Sequence, residues 1–208
     1  MPIIFISSLF LLLSSCTNLF VDSKLNNLSA SQIACQGFKK QNRESIFWTQ
    51  RFPIKIYVTD RFPEEKIISL QKAIYIWNES VSHNIFNIDV SKISNSSEPQ
   101  KDNKNLIYWK TDWYSDDTRN ATTLMYAESN NIKEADILLN AKNYVFSAGS
   151  PSQYETDLTS VLIHELGHVL GLDHSNSEDS VMQPLLSDGE ERLTISSSDI
   201  ANVQCMYF

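Results

Sequence analysis

Hydrophobic and polar residues follow one another along this chain with the spacings of strands and helices. Residues 54–58 alternate with a period of two, which predicts a strand. Between residues 63 and 81 the apolar side chains recur every three or four positions, which predicts a long amphipathic helix. Its apolar face comprises Ile67, Leu70, Ala73 or Ile74, Trp77 and Val81.

The same two patterns continue to the end of the chain. Runs rich in β-branched and aromatic residues predict four more strands, at residues 85–90, 106–109, 122–127 and 135–140. Thr156 and Asp157 form an N-cap signal for a second helix, with a buried side made of Leu158, Val161, Leu162, Leu166 and Val169 or Leu170. Residues 196–198 can cap a final helix that contains Ile200, Val203 and Met206.

Length and charge narrow the class of protein. A chain of 208 residues has room for one domain, or for two small ones, with a proper hydrophobic core. The formal net charge is −8 and no cluster of Lys and Arg occurs, so nucleic acid is not expected as a partner.

The N-terminal residues predict export. Residues 3–13 are apolar but too few to span a bilayer, so residues 1–15 are interpreted as a cleaved signal peptide. Leu13-Ser14-Ser15-Cys16 resembles a bacterial lipobox, which implies lipidation of Cys16 and anchoring to the cell envelope. A plain secretory signal with an incidental cysteine is the alternative. Residues 16–44 are then interpreted as a lipid-anchored flexible tether, since residues 17–34 are rich in Ser and Asn, and residues 45–208 as the catalytic domain.

Residues 164–174, His-Glu-Leu-Gly-His-Val-Leu-Gly-Leu-Asp-His, are the most informative stretch. On a helix, His164 and His168 project from one face and can reach a single ion. Gly171 can adopt the left-handed conformation that ends a helix, so the chain can return His174 as a third ligand. Three histidines that leave one position open are typical of a catalytic Zn²⁺ site.

Glu165 follows the first histidine and is not placed to be a fourth ligand. It can instead accept a proton from a metal-activated water, as a general base in peptide hydrolysis. An unrelated pair of histidines on a helix is a weak alternative. Five fixed residue types at these spacings recur by chance on the order of once in ten million windows.

The extended motif resembles the metzincin metallopeptidases, and Ser175 directly after the third histidine is similar to their matrixin branch. Residues 180–184, Ser-Val-Met-Gln-Pro, resemble the Met-turn, in which Met182 would form a hydrophobic floor beneath the imidazoles. Gln183 departs from the family, which typically has tyrosine there. By the same resemblance, Ser160 and Pro184 would line the pocket for the substrate side chain that follows the cleaved bond.

The resemblance covers about residues 48–208 and implies the fold. That fold is an α/β (α+β) metzincin catalytic domain with a mostly parallel twisted sheet, an active-site helix and a C-terminal helix. The segment Ala135-Asp136-Ile137 resembles the one leading into the last strand of the family's sheet. Residues 100–150 contain no histidine, so we expect one catalytic zinc and not the second, structural zinc of many matrixins.

Two further features leave alternatives open. Asp112, Asp116 and Asp117 would suit Ca²⁺, but we favour a solvated loop because the Asp-x-Asp-x-Asp-Gly pattern is absent. Cys35 and Cys205 are an even pair in an exported protein and predict a disulfide. The alternative is that Cys35 keeps the enzyme latent, as the propeptide cysteine does that matrixin zymogens hold on zinc. We favour the disulfide, because the neighbours of Cys35 lack the Pro, Arg and Asp of that motif.

The sequence therefore predicts an exported, lipid-anchored, monomeric zinc endopeptidase that acts on proteins or peptides. Two alternatives are a zinc-containing surface module that binds proteins without cutting them, and a processing protease with one partner substrate. The intact Glu165 argues against the binding module, which has no use for a general base.

Overall fold

The fold is built on a five-stranded sheet with helices on one face. The structure is a computed structural model. It describes residues 45–50, 52–93, 98–113 and 117–208, all within one compact unit. The signal peptide, Cys16, the tether, Cys35 and Asp116 lie outside the described residues. Among the helices of the described part, none combines the length and apolar character needed to cross a membrane.

The sheet has the strand order β2-β1-β3-β5-β4, and only β4 runs antiparallel to its neighbour. This arrangement confirms the mostly parallel sheet of the predicted fold class. The strands are β1 (Ile54–Thr59), β2 (Phe86–Ile93), β3 (Asn105–Lys110), β4 (Ala121–Glu128) and β5 (Asn131–Asn140). Two short strands, β6 (Phe146–Ser147) and β7 (Thr156–Asp157), pair separately.

Three α-helices complete the described part of the fold, as the apolar spacing predicts. They are α1 (Ile67–Val81, after a 3₁₀ turn at Glu64–Lys66), α2 (Leu158–Val169) and α3 (Ser197–Tyr207). One face of the sheet, with Ile54, Ile56, Val58, Ile107, Ile137 and Leu139, shares the main core with α1 and α2. The indole of Trp77 on α1 donates a hydrogen bond of 2.9 Å to the carbonyl oxygen of Ile163 on α2, which fixes the two helices together.

Strand β5 is longer than its sequence pattern indicates. It begins at Asn131 and not at Ala135, so the segment Ala135-Asp136-Ile137 lies well inside the strand. Polar residues in a strand usually mark its exposed face, but Glu134 and Asp136 are both fully buried. The sequence of β5 therefore lacks the alternation of apolar and polar residues that would reveal its start. A hairpin pairs β5 with β4 along its whole length and extends it toward the N-terminus.

Asp136 makes the stability of the fold depend on pH. One carboxylate oxygen accepts a hydrogen bond of 2.9 Å from the Leu106 amide, and the other has no partner among the described residues. Burial, followed by the nearby carboxylates of Glu134 and Asp102, raises the pKa of Asp136 to about 7. The folded pKa therefore exceeds the unfolded value of about 3.9, so the folded state holds the proton more tightly.

We expect the free energy of unfolding to fall as pH rises from about 4 to 7, because the folded protein must then ionise a buried carboxyl group. Asp136→Asn stays neutral and should weaken this decline. The free energy of unfolding of the variant minus that of the parent should increase by about 1–3 kcal/mol from pH 5 to pH 8, at 1.36 kcal/mol for each unit of pKa. Denaturant unfolding at the two pH values measures this, and identical pH dependence in both proteins would contradict it.

Candidate active site

Helix α2 presents the predicted metal ligands and begins where the sequence indicates. Asp157 is the N-cap, and its carboxylate accepts a hydrogen bond of 2.7 Å from the Ser160 amide. The apolar residues of the helix are buried, and their side chains belong to the main core. Packing on that side fixes the rotation of the helix about its axis, and with it the direction of His164 and His168.

Gly171 ends the helix and turns the chain back toward it. Its φ of +85° is left-handed, its amide bonds to the His168 carbonyl at 2.8 Å, and the Leu172 amide bonds to the Gly167 carbonyl at 3.0 Å. This pair of bonds is the Schellman motif. A Cβ at this glycine would lie 2.9 Å from the backbone oxygen of Ile46, so larger residues do not fit. The turn brings His174 back beside the other two imidazoles, as the motif predicts.

The three imidazoles converge. His164, His168 and His174 each offer one ring nitrogen, and these atoms all lie within 4.8 Å of one another. Nε2 of His168 is 3.2 Å from Nε2 of His174. Two ligands of a tetrahedral zinc with bonds of about 2.0–2.1 Å stand roughly 3.3–3.4 Å apart, so this separation suits a shared ion.

Hydrogen bonds fix the tautomers of the two helical histidines. Nδ1 of His164 lies 2.8 Å from the carbonyl oxygen of Val181, and Nδ1 of His168 lies 2.8 Å from that of Leu172. A carbonyl can only accept, so each Nδ1 carries the hydrogen and each Nε2 keeps its lone pair. Burial lowers the pKa of His164 to about 3 and that of His168 to about 4, which keeps both rings neutral. Neutral imidazoles with unprotonated Nε2 atoms fit a zinc ion.

Glu165 is buried beside this centre, with 3% of its surface exposed. One of its carboxylate oxygens, Oε2, accepts a hydrogen bond of 2.6 Å from the Thr123 hydroxyl on β4. Burial raises the pKa of Glu165 to about 7, against the opposing effects of the Thr123 hydrogen bond and the positive charge of Arg119. A carboxyl group that titrates near neutral pH is suited to both accepting and returning a proton.

Met182 lies under the helical turn that carries the histidines. A Cβ placed on Gly167 would come within 2.3 Å of the Met182 sulfur, so the thioether occupies the space that this glycine leaves. Met182 is 1% exposed, and its carbonyl accepts a hydrogen bond of 2.9 Å from the Ser175 amide. The methionine therefore packs against the ligand-bearing helix, at the place where the resemblance puts a Met-turn.

Comparison with known proteins decides the family. The family model described as Matrixin matches residues 71–208, which is more than half of the 208-residue chain. The chain belongs to the matrixin family.

Individual relatives match the chain over short segments. Metalloendoproteinase 5-MMP of Arabidopsis thaliana is 45% identical over 51 residues, which is 24% of this chain and 14% of that protein. Stromelysin-2 of Rattus norvegicus is 43% identical over 54 residues, 25% of this chain and 11% of the relative. Matrix metalloproteinase-16 of Homo sapiens is 35% identical over 63 residues, 30% of this chain and 10% of the relative. The matched part is thus a small fraction of each relative's length.

An anchor for the turn that carries Met182 was not apparent from the sequence. Asp199 on α3 is buried, and its carboxylate accepts hydrogen bonds from the Ser180 hydroxyl at 2.7 Å and the Val181 amide at 3.0 Å. The Val181 carbonyl in turn orients His164. The one local signal was the capping pattern Ser196-x-x-Asp199, which predicts a helix start but not a contact 18 residues back.

A cavity of about 310 Å³ opens beside the histidines in this matrixin, and its lining includes Glu165, Ser160 and Pro184. The Ser160 hydroxyl makes two hydrogen bonds within the protein, because it donates to Asp157 at 2.6 Å and accepts from the Arg192 amide at 2.6 Å. The two residues that the resemblance assigned to a substrate pocket therefore border one cavity with the general-base candidate.

Arg192 forms a wall of the cavity that sequence reasoning missed. Its guanidinium donates to the carbonyl oxygens of Gln183 at 3.3 Å and Leu185 at 2.9 Å, and pairs with Glu190 at 2.8 Å. These bonds tie the chain after Met182 to the helix through the Arg192 amide and Ser160. The two carbonyls and Glu190 accept the hydrogen bonds of the guanidinium, and the carboxylate of Glu190 offsets part of its charge.

The described members of the aspartate cluster are paired with basic side chains. Asp112 lies 3.1 Å from the ammonium of Lys110, and Asp117 makes hydrogen bonds to Arg119, the shortest 2.6 Å. The pKa of each carboxyl group is lowered by these partners, that of Asp117 to about 2. The calcium hypothesis gains no support from these contacts.

Proposed function

We propose that this matrixin is a zinc-dependent endopeptidase. The observation that carries the proposal is the open cavity in which three converging imidazole nitrogens stand beside a buried glutamate. His164, His168 and His174 would hold the ion. When bound, zinc supplies Lewis-acid chemistry that activates a water molecule and polarises the scissile carbonyl group.

Glu165 supplies the proton transfers in this proposal. Its Oε2 atom is held by Thr123, so Oε1 is the oxygen available to accept the proton of the attacking water. The same carboxyl group then delivers that proton to the nitrogen of the leaving amine. Burial brings its pKa close to neutral, which suits both transfers. Met182 and Asp199 position the imidazoles by packing and hydrogen bonding.

Protein or peptide substrates would bind along the cavity. Val161, Pro184 and Leu185 give it apolar lining, so the side chain after the cleaved bond should be large and hydrophobic, such as Leu, Met, Phe or Tyr. A difference of one methylene group changes the binding free energy by roughly 1–3 kcal/mol. The enzyme should therefore favour large hydrophobic side chains without strictly excluding smaller ones.

Cleavage-site mapping with the purified full chain and a proteome-derived peptide library tests both proposals. We expect many cleaved peptides with hydrophobic residues after the cut. A preference for acidic residues or glycine would contradict the pocket assignment, and cleavage of a single protein only would favour the dedicated processing protease. A library in which no peptide is cleaved would contradict the endopeptidase and favour the surface module.

The location of the enzyme is also proposed. Export by the N-terminal signal, with lipid on Cys16, would place a monomeric protease on the cell envelope, and a plain secreted form is the alternative. Intact-mass spectrometry of protein purified from membranes tests the anchor. A water-soluble protein without a lipid at its N-terminus would contradict it.

A further inference from the structure

Thr123 is the only described residue whose side chain makes a hydrogen bond to the Glu165 carboxylate. Its Oγ1 atom lies 2.6 Å from Oε2 and 3.3 Å from the backbone oxygen of Glu165, 42 residues away in the chain. A hydroxyl has one hydrogen to donate, and the shorter contact to the carboxylate takes it. The bond joins strand β4 to helix α2 at the cavity, whose lining includes both residues.

We propose that Thr123 is a positioning residue for Glu165, with a hydroxyl that holds Oε2 against the sheet and leaves Oε1 for proton transfer at the histidine centre. This inference rests on the proposed endopeptidase function. A glutamate side chain rotates about three bonds, and a general base must stay within hydrogen-bond reach of the proton that it takes. Fixing one carboxylate oxygen removes most of that freedom.

The surroundings of Thr123 make it a rigid donor. Thr123 pairs with Ile137 in the antiparallel ladder between β4 and β5, so its backbone is held by the sheet. As a β-branched residue it has few rotamers, so the direction of its hydroxyl is restricted as well. On the other side of the bond, Glu165 lies in a helix that packs into the main core.

Arg119 does not duplicate this role. Its guanidinium donates to Asp117 and to the Thr122 hydroxyl, and it acts on Glu165 through its charge without a hydrogen bond to the carboxylate. A charge at a distance attracts the carboxylate but does not select one of its two oxygens. The short hydroxyl contact does select one.

The test compares full-length Thr123→Val, which keeps the shape but not the donor, with Thr123→Ser, which keeps the donor. We expect Thr123→Val to lower kcat about 10- to 100-fold, the range for loss of a hydrogen bond to a charged group, with KM changed less than about twofold. Thr123→Ser should recover most of the turnover. Bound zinc per chain should be the same in all three proteins, because Thr123 is not among the converging ligands.

Thr59→Val is the matched control for loss of a buried threonine hydroxyl. Thr59 on β1 donates to the Ile107 carbonyl at 3.2 Å and is not among the residues that line the cavity, so this variant reports the effect on stability alone. A purely structural role for Thr123 would lower the melting temperature and leave kcat of the folded protein unchanged. The proposal is overturned if Thr123→Val turns over like the parent, or if Thr123→Ser is as slow as Thr123→Val.

Crystal structures separate this inference from the proposed function. If the parent protein hydrolyses no peptide, the endopeptidase proposal fails, and the orientation of Glu165 can still be compared between the parent and Thr123→Val. We expect the carboxylate to leave its position in the variant. An unchanged Glu165 rotamer would overturn the positioning role whatever the activity.

Discussion

Glu165→Gln should lower the turnover number about 10²- to 10⁴-fold, the usual contribution of a positioned acid–base group. The amide has nearly the same shape as the carboxyl group and can still accept the Thr123 hydrogen bond at its oxygen. It cannot take a proton from water near neutral pH. The loss should therefore appear in kcat, while the three imidazoles remain unchanged.

Metal content and a remote variant control this experiment. Glu165→Gln should bind as much zinc as the parent, because Glu165 is not among the converging ligands. Glu65→Gln makes the same chemical change at an exposed position in the 3₁₀ turn before α1 and should retain full activity. Turnover by Glu165→Gln at the rate of the parent would end the proposed mechanism.

Cys205→Ser should destabilise the protein by about 4–5 kcal/mol in the chain-entropy model, before any strain is subtracted. Cys205 on α3 is disulfide-bonded, and the predicted partner, Cys35, lies outside the described residues. A bridge between these two positions would close a loop over most of the chain and restrict the unfolded state. Cys205 is exposed, so replacing sulfur with oxygen should cost little in packing.

Denaturant unfolding under oxidising and reducing conditions measures this effect. We expect Cys35→Ser to match Cys205→Ser, and both to match the reduced parent. Peptide mapping by mass spectrometry should recover Cys35 and Cys205 in one linked peptide. Free thiols at both positions, with activity that rises when Cys35 is replaced, would favour the latency interpretation instead.

The parts of the site that sequence reasoning predicted are local in the chain. His164, Glu165, His168, Gly171 and His174 lie within eleven residues, where helical spacing and one glycine turn fix their relative positions. The resemblance of the motif to matrixins agrees with the family match over residues 71–208. Because these residues are so close in the chain, their relative positions can be predicted without knowing the rest of the fold.

The missed residues act over long distances in the chain. Thr123 reaches Glu165 across 42 positions, the Arg192 amide reaches Ser160 across 32, and Asp199 reaches Val181 across 18. Each contact depends on how a strand or loop is placed against α2. Hydrophobic periodicity predicts that such elements exist, but it contains no information on which polar side chain faces which.

The predicted start of β5 was wrong for a different reason, whereas its end at Asn140 is confirmed. Pattern recognition assumes that polar residues face solvent, whereas Glu134 and Asp136 point into the protein. Burying a carboxyl group is costly and therefore rare, so the sequence alone gives no reason to expect buried carboxyl groups at these two positions. The hairpin with β4, which extends β5 to Asn131, becomes visible only once the two strands are paired.

Hydrolysis of a peptide library by the purified full chain, before and after removal of metal, tests the central claim most directly. A chelator should reduce hydrolysis to background, and zinc should restore it at about one ion per chain, because His164, His168 and His174 form a single site. Hydrolysis that continues unchanged in the metal-free protein, or a zinc-loaded protein that cuts no peptide, would contradict the account.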